Sequence, residues 1–90
     1  MKHADIKVFG RVQGVGFRFY TTKQARSLGI KGWVKNMPDG SVHCEAEGQE
    51  SALNDFIKAV KKGPVSSKVK DTKVEKSDNI KNYKSFEVRY

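Results

Sequence analysis

Residues 10–36 read GRVQGVGFRFYTTKQARSLGIKGWVKN, and the fold turns on how this stretch divides. A polar, glycine-rich segment, GRVQGVGFR, is followed by a run in which Phe17, Tyr20, Gln24, Ala25 and Leu28 recur at three- and four-residue spacing. That period predicts a helix over FRFYTTKQARSL, stopped by Gly29. Ahead of the loop, Lys2 to Arg11 alternates around Ala4, Ile6 and Val8, with Asp5 and Lys7 on the other side, and reads as a strand. Behind the helix, Ile30 to Asn36 reads as a second strand carrying Trp33. Strand, helix, strand is a crossover unit, and such a unit runs its two strands in the same direction. The glycine loop after the first strand and Asn36 at the end of the second therefore share one edge of the sheet.

The remaining elements follow from the same signals. MPDG (37–40) places Pro38 and Gly40 for a turn with a left-handed last residue, which joins strand two to a third strand over Ser41 to Glu47 as a hairpin. Leu53, Phe56, Ile57 and Val60 form an apolar stripe at helical spacing, closed by Gly63 and Pro64. Val65 to Glu75 alternates more weakly, DNIKNYK (78–84) reads as an exposed loop, and FEVRY (86–90) as a short last strand. The order βαββαβ with an extra C-terminal strand predicts an α+β, ferredoxin-like sandwich, with two helices on one face of a mainly antiparallel sheet. Ninety residues suit one small domain, expected to span 1–90 without a linker.

Lys and Arg number 18 against 10 acidic residues, a net charge of +8. The sign favours anionic partners without choosing between a small phosphate and a nucleic acid. The lysines of KAVKK and SSKVKDTKVEK fall mostly where a helix or strand faces water. No apolar run approaches the roughly 20 residues of a membrane span, and MKHADIKVFG has no signal-peptide core, so a soluble, cytoplasmic monomer is expected. Cys44 stands alone, which excludes an internal disulfide and a cysteine metal cluster; alternation puts it beside Val42 and Ala46 as a small buried thiol. His3 and His43 have no partner at triad or metal-ligand spacing and read as surface histidines.

Gly14 and Gly16 tolerate positive φ and can turn several N–H groups toward one point, which attracts an anion. Arg18 falls in the first helical turn, where side chains lean toward the N-terminus and unpaired amides already favour negative charge. Glycines alone are better read as a tight strand-to-helix connection. Amides, a guanidinium and the Asn36 carboxamide on one edge, however, make a phosphate-sized site with a polar neighbour. A dinucleotide loop is excluded because Phe19 stands where its third glycine belongs, and a nucleotide phosphate loop because no Lys-Ser/Thr follows the glycines. GVGFRFY shares part of the aromatic signature of RNA-recognition domains, but Gln13, Val15 and Arg18 break it, and VHCEAE has no stacking aromatic. A nucleic-acid-binding module of the same topology is thus the runner-up, with Phe9 and Trp33 read as packing.

GRVQGVGFR, GWVKN, DGSV, EGQESAL, KKGPVSSKV and FEVRY together resemble the acylphosphatase family along nearly the whole chain. The pairing of VQGVGFR with WVKN is the specific part; Pro38 after Met37 is less familiar. The resemblance implies hydrolysis of acyl phosphates to a carboxylate and inorganic phosphate, without metal or cofactor; the amide-and-guanidinium cradle read above should also take phosphate or sulfate as competing anions. It maps a phosphate-binding loop onto Gln13, Gly14, Val15, Gly16 and Phe17, an essential arginine onto Arg18, and a water-positioning asparagine onto Asn36. An idle anion-sensing or acceptor domain from a larger assembly is the third alternative.

Overall fold

Ala4, Ile6 and Val8 have no exposed surface, whereas Asp5 is half-buried and Lys7 exposed between them. This period-2 alternation makes β1 a strand with one face on a core. The computed structural model describes residues 1–90 as β1 (Lys2–Arg11), α1 (Phe17–Leu28), β2 (Lys31–Asn36), β3 (Val42–Gly48), α2 (Glu50–Lys62), β4 (Lys68–Ser77) and β5 (Phe86–Arg89). The five strands form one sheet in the order β4-β1-β3-β2-β5. β1 and β2 are both antiparallel to β3, which lies between them, and so run in the same direction. β5 pairs parallel with β2. The C-terminal ends of β1, β2 and β5 consequently meet at one edge, as the crossover rule requires for the first two. The α+β, ferredoxin-like sandwich read from the sequence is the observed architecture.

Both helices cover the face formed by Ile6, Val8, Val34, Val42 and Cys44. α2 buries Leu53, Phe56, Ile57 and Val60, the stripe its period demands. Phe56 meets Phe86 of β5 edge-to-face at 5.8 Å between centroids, and truncating such a buried ring to alanine costs about 3–5 kcal/mol. α1 departs from its expected stripe: its buried residues are Phe17, Thr21, Thr22 and Ala25. Tyr20 lies at the border, where its hydroxyl donates to the Ala59 carbonyl of α2 at 2.8 Å. Edge strand β4 carries Lys68, Lys70, Lys73 and Lys76, charges that keep an unpaired strand edge from recruiting another chain.

Three strand starts differ from expectation. β4 begins at Lys68 rather than Val65 because Pro64 to Ser67 closes a turn, with the Ser67 amide and hydroxyl both donating to the Pro64 carbonyl; Val65 is left fully exposed. β2 begins at Lys31, one residue late, since the Ile30 amide is taken by Ala25. β3 begins at Val42, because Asp39 accepts hydrogen bonds from both the amide and the hydroxyl of Ser41 and holds it in the turn.

The helix-free face overturns the reading of His3. Its side chain is buried, with Nδ1 2.8 Å from Glu47 and Nε2 3.1 Å from Glu45. The 78–84 segment closes over this group: the amides of Lys81 and Tyr83 donate to the Glu47 carboxylate, and the Tyr83 hydroxyl donates to Glu45. Burial alone would raise both carboxyls, yet these donors hold Glu45 and Glu47 below the ordinary range. Trp33 is also on this face, covered by Arg89 at 4.9 Å and by the edge of His43, with its indole N–H donating to Tyr83.

Candidate functional site

α1 starts where two glycines permit it. Gly14 has φ 73° and Gly16, the residue capping α1, has φ 76°. An added Cβ at either would meet nothing within 4 Å, so it is the left-handed backbone and not lack of space that calls for glycine here. A side chain there costs roughly 1–2 kcal/mol. No side chain caps the helix, and no backbone N–H from Gly14 to Phe19 donates to an acceptor within the protein. The result is a ring of free donors at the positive end of a helix.

The loop is held rigidly around those donors. Val12 is buried in the core. The Gln13 side chain turns away and donates to the carbonyls of Met37 and Ser41 at 2.8 and 2.9 Å, stapling the glycine loop to the β2–β3 turn. Ser66 donates to the Val15 carbonyl at 3.1 Å. The turn itself is fixed by Met37 and Gly40 and by the Asp39 carboxylate, which its bonds to Ser41 hold below the usual carboxylate range. Asn36, the last residue of β2, sits just before it. Its Oδ1 is buried and accepts no hydrogen bond from the protein, an uncommon state for a buried polar atom.

A cleft of about 420 Å³ opens on this edge. Of the residues singled out from sequence, Gly14, Gly16, Phe17, Arg18 and Asn36 line it, whereas Gln13 and Val15 do not. Gln13 is the brace just described, and Val15 packs half-buried on the core. Thr22, Arg26, Val88 and Tyr90 also line the cleft, and sequence reasoning missed them. The available signal was modest: Thr22 and Arg26 follow Arg18 at four-residue steps, and a last strand parallel to β2 brings its end to the same edge. Arg18 stacks on Tyr90, with its guanidinium carbon 4.8 Å from the ring centroid.

Two of the side chains lining the cleft are arginines, and none is a carboxylate, imidazole or thiol, so the side chains present positive charge alone. Cys44 is fully buried elsewhere, where burial pushes its thiol well above the ordinary range and makes it a poor nucleophile. The donors able to hold a cation lie on the opposite, helix-free face. There Asp5, His43 and Glu45 bring ligand atoms within 4.8 Å of one another, and His43 Nε2 is 3.0 Å from Asp5 Oδ1. His43 and Glu45, i and i+2 on β3, meet Asp5 of the adjacent β1 to make this cluster, a juxtaposition that sequence alone hides, and it corrects the reading of His43 as a solitary surface histidine.

The acylphosphatase family model matches residues 4–88. The chain belongs to the acylphosphatase family. It is 54% identical over 86 residues to an acylphosphatase of Archaeoglobus fulgidus, with 96% of each chain covered. It is 48% identical over 90 residues to that of Thermotoga maritima, covering 100% of this chain and 99% of the relative. The crystal structure of acylphosphatase from Bacillus subtilis superposes with a TM-score of 0.97 at 44% identity, covering both chains completely. The acylphosphatase fold thus accounts for every element described above. No helix is long and apolar enough to cross a membrane.

Proposed function

We propose that this protein hydrolyses acyl phosphates to a carboxylate and inorganic phosphate, at the cleft between the glycine loop and the end of β2. The observation that carries the reading is the set of unpaired amides from Gly14 to Phe19 beside Arg18, with the Asn36 carboxamide on the same wall. Amides and a guanidinium at a helix N-terminus suit a phosphoryl group and the charge that spreads over its oxygens during transfer.

The chemistry explains why so few groups are required. An acyl phosphate expels a carboxylate whose conjugate acid has a pKa of about 4, so the leaving group needs no proton at neutral pH. What remains is to stabilise charge and align water. Arg18 and the loop amides hold the phosphoryl oxygens. Asn36 orients the attacking water in line with the scissile bond, through a carboxamide that makes no hydrogen bond to the protein. A phosphate oxygen of the substrate accepts the water's proton. No metal or cofactor enters this scheme, because the guanidinium and amides supply the positive charge and the cleft offers no ligand set for an ion.

The runner-up, nucleic-acid binding on the open sheet face, is disfavoured by the same side chains that fill that face. Trp33 is 8% exposed and covered by Arg89, His43 and Tyr83, so its ring is not free to stack a base. A single cytoplasmic, monomeric domain acting on small molecules fits the proposal. The test is loss of benzoyl phosphate in excess EDTA. Undiminished hydrolysis, inhibited competitively by inorganic phosphate or sulfate, is the expected result. Activity that vanishes on chelation and returns with Mg²⁺ or Zn²⁺ would contradict the mechanism, and no activity under any condition would contradict the function.

A further inference from the structure

The cleft is longer than a phosphoryl group requires. Its volume of about 420 Å³ equals that of about 14 waters at about 30 Å³ each, and a phosphoryl group with its few oxygens fills a fraction of it. The excess extends along α1, where Arg18, Thr22 and Arg26 succeed one another at four-residue intervals on the wall. Arg18 and Arg26 are eight residues apart, about 12 Å along the helix axis. Between them β5 contributes the half-buried side chain of Val88. A positive end, an apolar middle and a second positive end follow in order.

Arg26 is the second positive end. One of its N–H groups donates to the Phe86 carbonyl at 3.3 Å, which fixes the guanidinium against β5. No carboxylate of the protein pairs with it, so the rest of its donor fork is unspent. An arginine anchored by one bond and open on its other edge is disposed to take a carboxylate in two-pronged fashion.

We propose that Arg26 is a specificity residue, selecting acyl phosphates whose acyl chain ends in a second anionic group, most simply the monoacyl phosphate of a dicarboxylic acid. The inference rests on the acyl-phosphate reading of the cleft. The phosphoryl group sits at Arg18 and the loop amides, the methylene chain lies along Val88, and the distal carboxylate meets Arg26. Reaction at phosphorus is unchanged by this contact, so Arg26 acts on which substrate is held and not on the bond being broken.

The experiment compares glutaryl phosphate with valeryl phosphate, which share a five-carbon chain and differ in a terminal carboxylate against a methyl. The parent protein should favour glutaryl phosphate in kcat/KM by about tenfold, the worth of one charge-assisted hydrogen bond at a partly open site. Arg26→Gln should bring the ratio of the two values close to one, and Arg26→Lys should restore part of it. The ratio is independent of how much of each variant is folded. A parent ratio near one, or a ratio that survives in Arg26→Gln while both values fall together, overturns the proposal and leaves Arg26 a brace for β5. Failure of the parent to hydrolyse either compound overturns the acyl-phosphate reading itself, and this inference with it.

Discussion

The Arg18 guanidinium lies over the Tyr90 ring, 4.8 Å from its centroid, although the two residues belong to opposite ends of the chain. Arg18 leaves the first turn of α1, and Tyr90 follows β5, which reaches the cleft edge because it pairs parallel with β2. Tyr90 is 90% exposed and contributes little to the core. Its ring instead limits where a long, flexible cation can go, so that less side-chain entropy is lost when Arg18 meets an anion.

Replacing Tyr90 should therefore affect binding more than folding. A cation–π contact at an exposed site is worth about 0.5–1 kcal/mol, which corresponds to a factor of about two to five in affinity. Tyr90→Ala should weaken phosphate binding and lower kcat/KM for benzoyl phosphate by that factor, and Tyr90→Phe should preserve both. Steady-state kinetics and phosphate titration of the two variants check it; equal loss in both would assign the effect to the hydroxyl.

Gln13 should couple stability to activity. Its side chain donates to the carbonyls of Met37 and Ser41, so Gln13→Leu removes two hydrogen bonds, leaving each carbonyl only its backbone donor from Gly40 or Met37, and unties the glycine loop from the turn after Asn36. A loss of about 1–3 kcal/mol in unfolding free energy is expected, together with a reduced kcat, because loop and asparagine are no longer held in register. Urea unfolding and benzoyl phosphate turnover measure the two effects. A destabilised variant with parental kcat would show that the staple serves the fold alone.

The carboxylates beneath the 78–84 segment set the acid limit. Glu45 and Glu47 are held below their ordinary range against the effect of burial, by donors from Lys81 and Tyr83 and by His3. A carboxyl depressed in the folded state stabilises above its unfolded pKa, about 4.3 for glutamate, and that stability is lost as pH falls through the lower, folded value. Unfolding free energy should thus be level above about pH 5 and decline below it. Glu47→Gln should be less stable at pH 7 by about 1–3 kcal/mol, since charge-assisted bonds are lost, and should show a shallower acid decline. A parallel decline in parent and variant would remove Glu47 from the account.

The same residues show what a sequence can and cannot disclose. Asn36 and the Gly14–Arg18 loop were assigned to one edge because strand direction follows from a local rule about crossovers. The α2 stripe was legible because Leu53, Phe56, Ile57 and Val60 need only a helical period. His3 was misread because its partners Glu45 and Glu47 lie more than forty residues away and are reached only through the β1–β3 register, in which His3 pairs with Glu47. Arg26 and Tyr90 escaped notice for a related reason: a groove between α1 and β5 exists only once β5 has taken the edge beside β2. Val65 misled in the other direction, as strand propensity yielded to the turn that Pro64 and Ser67 close.

The most direct test of the account is a pair of measurements on Asn36→Ala, set beside Arg18→Ala: phosphate affinity by calorimetry and turnover of benzoyl phosphate. Asn36 is assigned to the water and Arg18 to the phosphoryl group, so Asn36→Ala should bind phosphate like the parent while kcat falls about a hundredfold or more, the scale of one preorganised group. Arg18→Ala should lose both. Near-parental turnover in Asn36→Ala, or loss of phosphate binding along with turnover, would contradict that division of labour.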